Sequence, residues 1–295
     1  MTGATAPTDR QAALQVLSRL DADARHVRTP FPTPQDASQT MVWRCWGEGP
    51  PVVLVHGGVG SWRHWVRNIE HLARRRSVWA PDLPGFGDSH VPAGMQSPPT
   101  FAPMLLAGIA EVLGDQPYDL VGFSFGALVC AFAAAQSGPR PGRLVLIGPA
   151  GLGVEPPTLA FLPLRGITDP TERARVLGVN LNALMLHHAG SIDALAIEIH
   201  GHGIERERVR RDNMARTDAI LGLSQKWTCP AFALFGELDV LYLGKEHLLH
   251  ERLSRLGLQD TAFVGDAGHW VMYERADAFN AALDGLLDQP PASIV

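Results

Sequence analysis

The heptapeptide Val121-Gly122-Phe123-Ser124-Phe125-Gly126-Ala127 decides the fold. It contains G-x-S-x-G, preceded by the short apolar run Tyr118-Asp119-Leu120-Val121 and followed by the Ala-rich, helix-like run Leu128 to Gln136. A strand, a sharp turn and a helix in that order is the context that gives the pentapeptide meaning. In such a turn the serine takes a strained backbone conformation, and the glycines two residues to either side remove Cβ atoms that would collide where strand and helix converge. Ser124 is then left standing alone above the sheet edge. A serine in an ordinary turn, capping the helix behind it, is the plain alternative, and the rest of the chain decides between the two.

Upstream, two strand-like runs, Met41 to Trp46 and Val52-Val53-Leu54-Val55, flank the turn Gly47-Glu48-Gly49-Pro50-Pro51. The second is apolar throughout, as a strand covered on both faces would be. It runs into His56-Gly57-Gly58-Val59-Gly60, a Gly-rich loop whose backbone amides can approach a ligand closely. A nucleotide site is not indicated, because G-x-x-x-x-G-K-[ST] is absent and Gly58 to Arg63 fits G-x-G-x-x-G poorly. Ser61 can cap a helix running to about Arg74, with Trp65, Ile69 and Leu72 on one face. The strand Ser77 to Ala80 then leads into the turn-rich loop Pro81 to Ser89, and a helix is expected from Pro103 to Leu113.

Downstream, Arg143 to Gly148 is another apolar strand. The rhythm changes at Pro149: Pro156, Pro157, Pro163 and Pro170 interrupt the next stretch, and helices are expected over Thr171 to Leu186 and Ile192 to Ile199. Alternation resumes with the strand Ala231 to Gly236, a helix over about Gly244 to Leu256, the strand Thr261 to Val264 and a last amphipathic helix from Glu274 to Leu287. The pattern predicts an α/β fold, a mainly parallel twisted sheet with helices on both faces and an inserted helical lid. Residues 1–40 form an N-terminal helix, over about Asp9 to Leu20, and an arm held extended by Pro30, Pro32 and Pro34; residues 41–150 and 224–295 form the two parts of the core; residues 151–223 form the lid.

With 295 residues and 46% hydrophobic content, the chain can bury a large core without staples. Its 25 Lys+Arg against 30 Asp+Glu give a formal net charge of −5, and the short clusters Arg74-Arg75-Arg76 and Arg210-Arg211 read as a helix end and a surface turn. No nucleic-acid partner is expected. Cys45, Cys130 and Cys229 are three, widely spaced and in apolar or strand-like contexts, which predicts free thiols in a reducing compartment, with neither a disulfide framework nor a zinc site. Met1 to Arg10 lacks the pattern of a secretory signal, and the apolar run Phe125 to Ala135 is too short to span a bilayer. The expectation is a cytoplasmic protein without a membrane partner, with homo-oligomerisation left open.

A serine hydroxyl is a weak nucleophile near neutral pH and needs a base within hydrogen-bond reach, which in turn needs an orienting acid. In a parallel sheet such groups gather beyond the C-terminal ends of the strands. Asp239 follows the strand ending at Gly236, and His269 lies in Gly265-Asp266-Ala267-Gly268-His269-Trp270, after the last strand. Glu237 is the competing acid; Asp266 is expected to cap its own loop. The order Ser, Asp, His, together with His56-Gly57-Gly58, Asp82 to Ser89, Gly122 to Gly126, Gly236 to Asp239 and Gly268 to Trp270, resembles the α/β-hydrolase family over roughly Pro51 to Leu287.

That resemblance implies roles: Ser124 as nucleophile, His269 as base and then acid, Asp239 as the orienting carboxylate, and the backbone N–H groups of Gly58 and Phe125 as an oxyanion hole. His56 is expected to orient the Gly-rich loop or to touch substrate, with Gly57, Phe123, His200 and Trp270 also placed at the substrate pocket. No metal or other cofactor is expected; His187, His188, His200 and His202 match no zinc spacing and read as lid or surface residues. A serine nucleophile disfavours dehalogenase and epoxide hydrolase chemistry, for which the family resemblance implies aspartate. The run Gly268 to Asn280 is similar to the ending of the meta-cleavage product hydrolases, whereas Phe123 and Ala127 depart from their elbow pattern and His200 falls near the place of their lid arginine. Hydrolysis of a small to medium apolar carbonyl substrate, most simply a carboxylic ester, is the leading expectation. Carbon–carbon hydrolysis of a vinylogous diketone is the second, and a ligand-binding protein without turnover the third.

Overall fold

A computed structural model describes residues 7–32, 38–92, 97–136, 141–209 and 216–289; Pro34 and the Arg210-Arg211 pair lie outside them. Eight strands form one sheet: β1 (Arg25–Pro30), β2 (Thr40–Trp46), β3 (Pro51–Val55), β4 (Ser77–Pro81), β5 (Asp119–Phe123), β6 (Arg143–Ile147), β7 (Ala231–Gly236) and β8 (Asp260–Val264). Their spatial order is β1-β2-β4-β3-β5-β6-β7-β8. From β4 to β8 every pairing is parallel, while β1 and β2 add an antiparallel edge.

Alternation along the central strands divides the core into two layers, because successive side chains point to opposite faces. Val53, Val55, Leu120, Leu144, Leu146, Ala233 and Phe235 join the layer beneath α3 (Pro98–Leu113) and α4 (Phe125–Ala134). Val52, Leu54, Val121, Val145, Ile147, Phe232 and Leu234 join the layer shared with Trp62, Trp65, Tyr273 and Phe279. The strands read as unbroken apolar runs because both faces are covered.

The segment expected as one helix from Ser61 to Arg74 is instead broken. It forms a 3₁₀ turn at Trp62–Trp65, with Ser61 accepting from Arg63 N–H, and then a short α2 (Ile69–Leu72). Trp62, His64 and Trp65 are all buried, so the segment packs on several sides, which a single amphipathic face would not allow. The helix expected from Pro103 begins at Pro98 and carries Pro103 inside it. β1 is an addition to the expected strands. α1 (Pro7–Ala22) packs Leu17 and Leu20 into the second layer and pairs Arg10 with Glu198.

Between β6 and β7 the described residues contain no strand. The chain forms α5 (Pro170–Leu184), α6 (Ala194–Arg206) and α7 (Ala219–Leu223), with α5 and α6 capped by Asp169 and Asp193. After β7 come α8 (Glu246–Ser254), α9 (Val271–Glu274) and α10 (Ala276–Leu287); the expected last helix is thus interrupted at Arg275. No helix among the described residues is long and apolar enough to cross a membrane.

Candidate active site

Ser124 joins β5 to α4 with φ 51° and ψ −113°, a strained conformation for a residue with a side chain. Its N–H donates to Ile147 O at 2.8 Å, which ties the turn to β6. The two glycines serve different contacts. A Cβ on Gly122 would lie 2.7 Å from Ala127 Cα, the collision expected between strand and helix. A Cβ on Gly126 would instead lie 2.2 Å from His56 O, so this glycine lets α4 sit against the end of β3. Within Gly122 to Gly126 only Ser124 keeps exposed surface.

His269 reaches Ser124 from the loop after β8, its Nε2 2.9 Å from the serine Oγ. Its Nδ1 lies 2.7 Å from Asp239 Oδ2, and both residues are buried. A carboxylate accepts only, so Nδ1 carries the proton and Nε2 offers its lone pair to the serine hydroxyl. Asp239 Oδ1 is occupied by the Leu241 N–H at 3.0 Å, which fixes the carboxylate plane. Gly148 lies beneath this pair: a Cβ there would be 3.2 Å from the His269 ring and 3.3 Å from Asp239 Oδ2. The described residues thus bring Ser124, His269 and Asp239 into one relay, and Glu237 takes no place in it.

The expected oxyanion donors belong to the start of α4 and to the loop after β3. Phe125 is the first residue of α4, at the end where backbone amides point out along the helix axis. Gly58 is half-buried in the loop after β3 and precedes Val59, which has φ 54°. His56 orients that loop: its Nε2 accepts from Leu83 N–H at 2.9 Å, leaving Nδ1–H to donate to Gly57 O at 2.7 Å.

The residues expected at the substrate pocket differ in exposure. His56, Gly57, Phe123 and Trp270 are all buried, and they form the wall behind the relay. The Phe123 ring packs 5.0 Å from His269 and 5.6 Å from His64, and Gly57 lacks a side chain because that ring occupies its place. Trp270 stacks on Tyr273 at 4.2 Å and donates its indole N–H to His64 O at 3.1 Å. Of the five, His200 alone keeps exposed surface; it lies on α6, and burial pushes its imidazole down to about 4.

Two further residues that hold the site's loops carry no sequence signal of their own. His64 accepts from Gly57 N–H through Nδ1 at 3.3 Å, and burial, then His56, His200 and His269, hold it well below the ordinary histidine range. Glu274 was the expected start of a helix, yet its buried carboxylate accepts from the N–H groups of Gly268 at 2.7 Å, His187 at 3.1 Å and His188 at 2.7 Å. It thereby joins the His269 loop to the segment between β6 and β7. Asp266 does not cap its loop: at φ 59° it reaches out to His188 Nε2 at 2.7 Å and to Arg275. Among the described residues no group of His, Cys, Asp and Glu side chains could hold a metal ion.

The chain has the α/β-hydrolase fold. The model of the alpha/beta hydrolase fold matches residues 50–192, and the sheet order and elbow described above complete that fold. The chain is similar to a 2-hydroxymuconate semialdehyde hydrolase of Pseudomonas sp., 28% identical over 84% of this chain and 90% of the relative. It is also 41% identical to a 2-hydroxy-6-oxo-2,4-heptadienoate hydrolase of Pseudomonas putida, over a match that spans only 37% of this chain and 41% of that one. An esterase structure from Rhodococcus sp. superposes with a TM-score of 0.70 at 22% identity, covering 90% of this chain and 99% of the other, and shares the fold. The protein is an enzyme of the hydrolase class.

Proposed function

We propose that this chain is a serine hydrolase of small to medium, mostly apolar carbonyl substrates, with carboxylic esters as the simplest case. The observation that carries this reading is the continuous relay from Ser124 Oγ through His269 to Asp239, at 2.9 and 2.7 Å. As Ser124 Oγ bonds to the acyl carbon, its proton passes to His269 Nε2, and Asp239 stabilises the imidazolium. The carbonyl oxygen becomes an oxyanion held by the N–H groups of Gly58 and Phe125. Collapse breaks the bond to the alkoxide, which leaves with the proton from Nε2. A water molecule, deprotonated by Nε2, then attacks the acyl-serine and releases the carboxylic acid, returning the proton to Ser124. Helices α5 to α7 act as a lid that shapes the acyl and leaving-group sites.

A second reading, carbon–carbon hydrolysis, is favoured by the relatives' names. A 2-hydroxy-6-oxo-dienoate has neither ester nor amide, so a hydrolase acting on it must cleave beside its 6-oxo carbon. The same serine, base and amides would serve that step on this chain.

The test is labelling of the native protein by a serine-directed fluorophosphonate, read by peptide mass spectrometry, with Ser124→Ala and heat-denatured controls. Modification at Ser124 in the folded wild type alone is the expected result. Turnover of p-nitrophenyl esters against a 2-hydroxy-6-oxo-dienoate then separates the two substrate classes. Ligand binding with neither labelling nor turnover would make the chain a binding protein on a hydrolase fold and overturn the proposal.

A further inference from the structure

The Gly-rich loop after β3 is gripped from two sides. Beneath it, the His64 ring occupies the place of a Gly60 side chain, where a Cβ would lie 2.3 Å from His64 Cε1, and His64 Nδ1 takes the Gly57 N–H. Above it, helix α6 brings Gly203 onto Val59 so closely that a Cβ at Gly203 would lie 1.9 Å from Val59 O and 2.8 Å from Val59 C. Val59 is the residue between these jaws. A left-handed φ of 54° is an outlier for a β-branched side chain and persists only where the surroundings impose it.

Helix α6 is well placed to impose it. Asp193 caps its start and receives Arg67 at 2.6 Å; Glu198 pairs with Arg10 of α1; Arg206 lies 3.7 Å from Asp88. Arg208, just beyond the helix, donates to Gly87 O at 3.0 Å. These contacts fix the helix to the core on several sides of the loop.

We propose that Gly203 is a positioning residue for the oxyanion hole: its backbone, pressed on the Val59 carbonyl, holds the neighbouring Gly58 amide in place. The inserted helix then acts on the transition state as well as covering the substrate. This inference rests on the serine hydrolase reading, since without an oxyanion the grip has nothing to serve.

The experiment compares Gly203→Ala with Gly201→Ala, one helical position pair away. A Cβ at Gly201 would meet only Leu177 Cδ1, at 3.2 Å, so that variant disturbs packing between α5 and α6 and leaves the loop untouched. With a p-nitrophenyl ester, Gly203→Ala is expected to lower kcat by about 100-fold, the scale of losing one oxyanion donor. KM should stay within about threefold, and affinity for a trifluoromethyl ketone, which forms a tetrahedral adduct with the serine, should fall in parallel with kcat. Gly201→Ala should keep both quantities within about threefold of wild type. Equal losses in the two variants, or a loss confined to KM, would overturn the proposal.

If Gly203→Ala does not fold, Asp193→Ala carries the test: it removes the cap of α6 and its pair with Arg67, so the helix loosens over Val59, and kcat and ketone affinity should fall together by about tenfold or more with KM within about threefold. Unchanged kcat and ketone affinity in a folded Asp193→Ala would show that α6 does not hold the loop and would overturn the proposal. Ser124→Ala distinguishes the two levels of failure. Turnover surviving in Ser124→Ala, with no ketone binding by wild type, sinks the hydrolase reading and the grip with it. Loss in Ser124→Ala alongside a wild-type-like Gly203→Ala sinks the grip alone.

Discussion

Replacing Glu274 by Gln should damage both stability and turnover, because its carboxylate accepts from three backbone donors of two separate segments. Oε2 takes Gly268 N–H and His187 N–H, and Oε1 takes His188 N–H; the residue is 5% exposed. A carboxamide has a single acceptor oxygen. Placed at Oε2 it keeps two of the bonds, weakened by loss of charge, and turns an NH2 group toward the His188 N–H. Hydrogen bonds to charged groups contribute about 1.5–3 kcal/mol each, and a stranded buried donor costs about 1–3 kcal/mol. A destabilisation of about 3 kcal/mol follows for Glu274→Gln, and about 5 kcal/mol for Glu274→Ala, which strands all three donors and leaves a void. For a domain of this size the Gln variant should melt about 6–12 °C lower. Urea and thermal unfolding measure the first effect. Steady-state kinetics with a p-nitrophenyl ester measures the second, expected mainly in kcat because Gly268 adjoins His269. Glu274→Gln within about 0.5 kcal/mol of wild type would refute the reasoning, since only a surface-like carboxylate would behave so.

Ser124→Ala and His269→Ala should each lose turnover by a factor on the order of 10⁴–10⁶ with far-UV circular dichroism unchanged, and Asp239→Asn somewhat less, since the histidine keeps its place but not its tautomer. Gly126→Ala should lose fold and activity together in thermal unfolding and ester turnover, because its Cβ would lie 2.2 Å from His56 O, a backbone atom that cannot step aside. Acid should weaken the fold through α6. Burial, the first cause in both cases, holds His200 and His202 at about 4, against about 6.5 in the unfolded chain. The unfolded state therefore binds more protons across that window, and stability present above pH ~6.5 is lost as pH falls toward 4. The limit is on the order of 3 kcal/mol per ring, and thermal melts of His200→Gln and His202→Gln between those pH values should show a shallower decline than wild type.

The parts of the molecule legible in the sequence are those in which one local pattern answers to one environment. β3, β5, β6 and β7 announce themselves because strands covered on both faces must be apolar at every position. The relay was legible because each member follows a strand end, where side chains converge whatever the details of packing. β1 was not, since Arg25-His26-Val27-Arg28-Thr29-Pro30 is an edge strand whose mostly exposed residues carry no apolar period. His64 and Glu274 were hidden for a different reason: each sits in a run that reads as helix, and its partners are backbone amides, of Gly57 for His64 and of Gly268, His187 and His188 for Glu274. Backbone donors have no sequence identity to recognise. Phe123 and Trp270 flank Ser124 and His269 in sequence, while their rings are buried.

Strain is not scattered over this molecule. Among the described residues, the non-glycine residues with left-handed φ are Val59, Ser124 and Asp266, one in each of the loops that follow β3, β5 and β8. Each departure costs of order 1–3 kcal/mol and needs an external hold. Ser124 has one in its N–H bond to Ile147 O, and Asp266 in its contact with the His188 ring and its ion pair with Arg275. Val59 has the Gly203 backbone above it. Two of these holds come from the segment between β6 and β7, His188 and Gly203, which gives that segment a part in positioning both the Gly-rich loop and the His269 loop. Changes made there to alter substrate choice should therefore shift kcat as well as KM, unless they spare the Glu274 bonds and the Val59 contact. A substitution on the exposed face of α5, such as Val179→Ala, touches neither and should leave both constants unchanged.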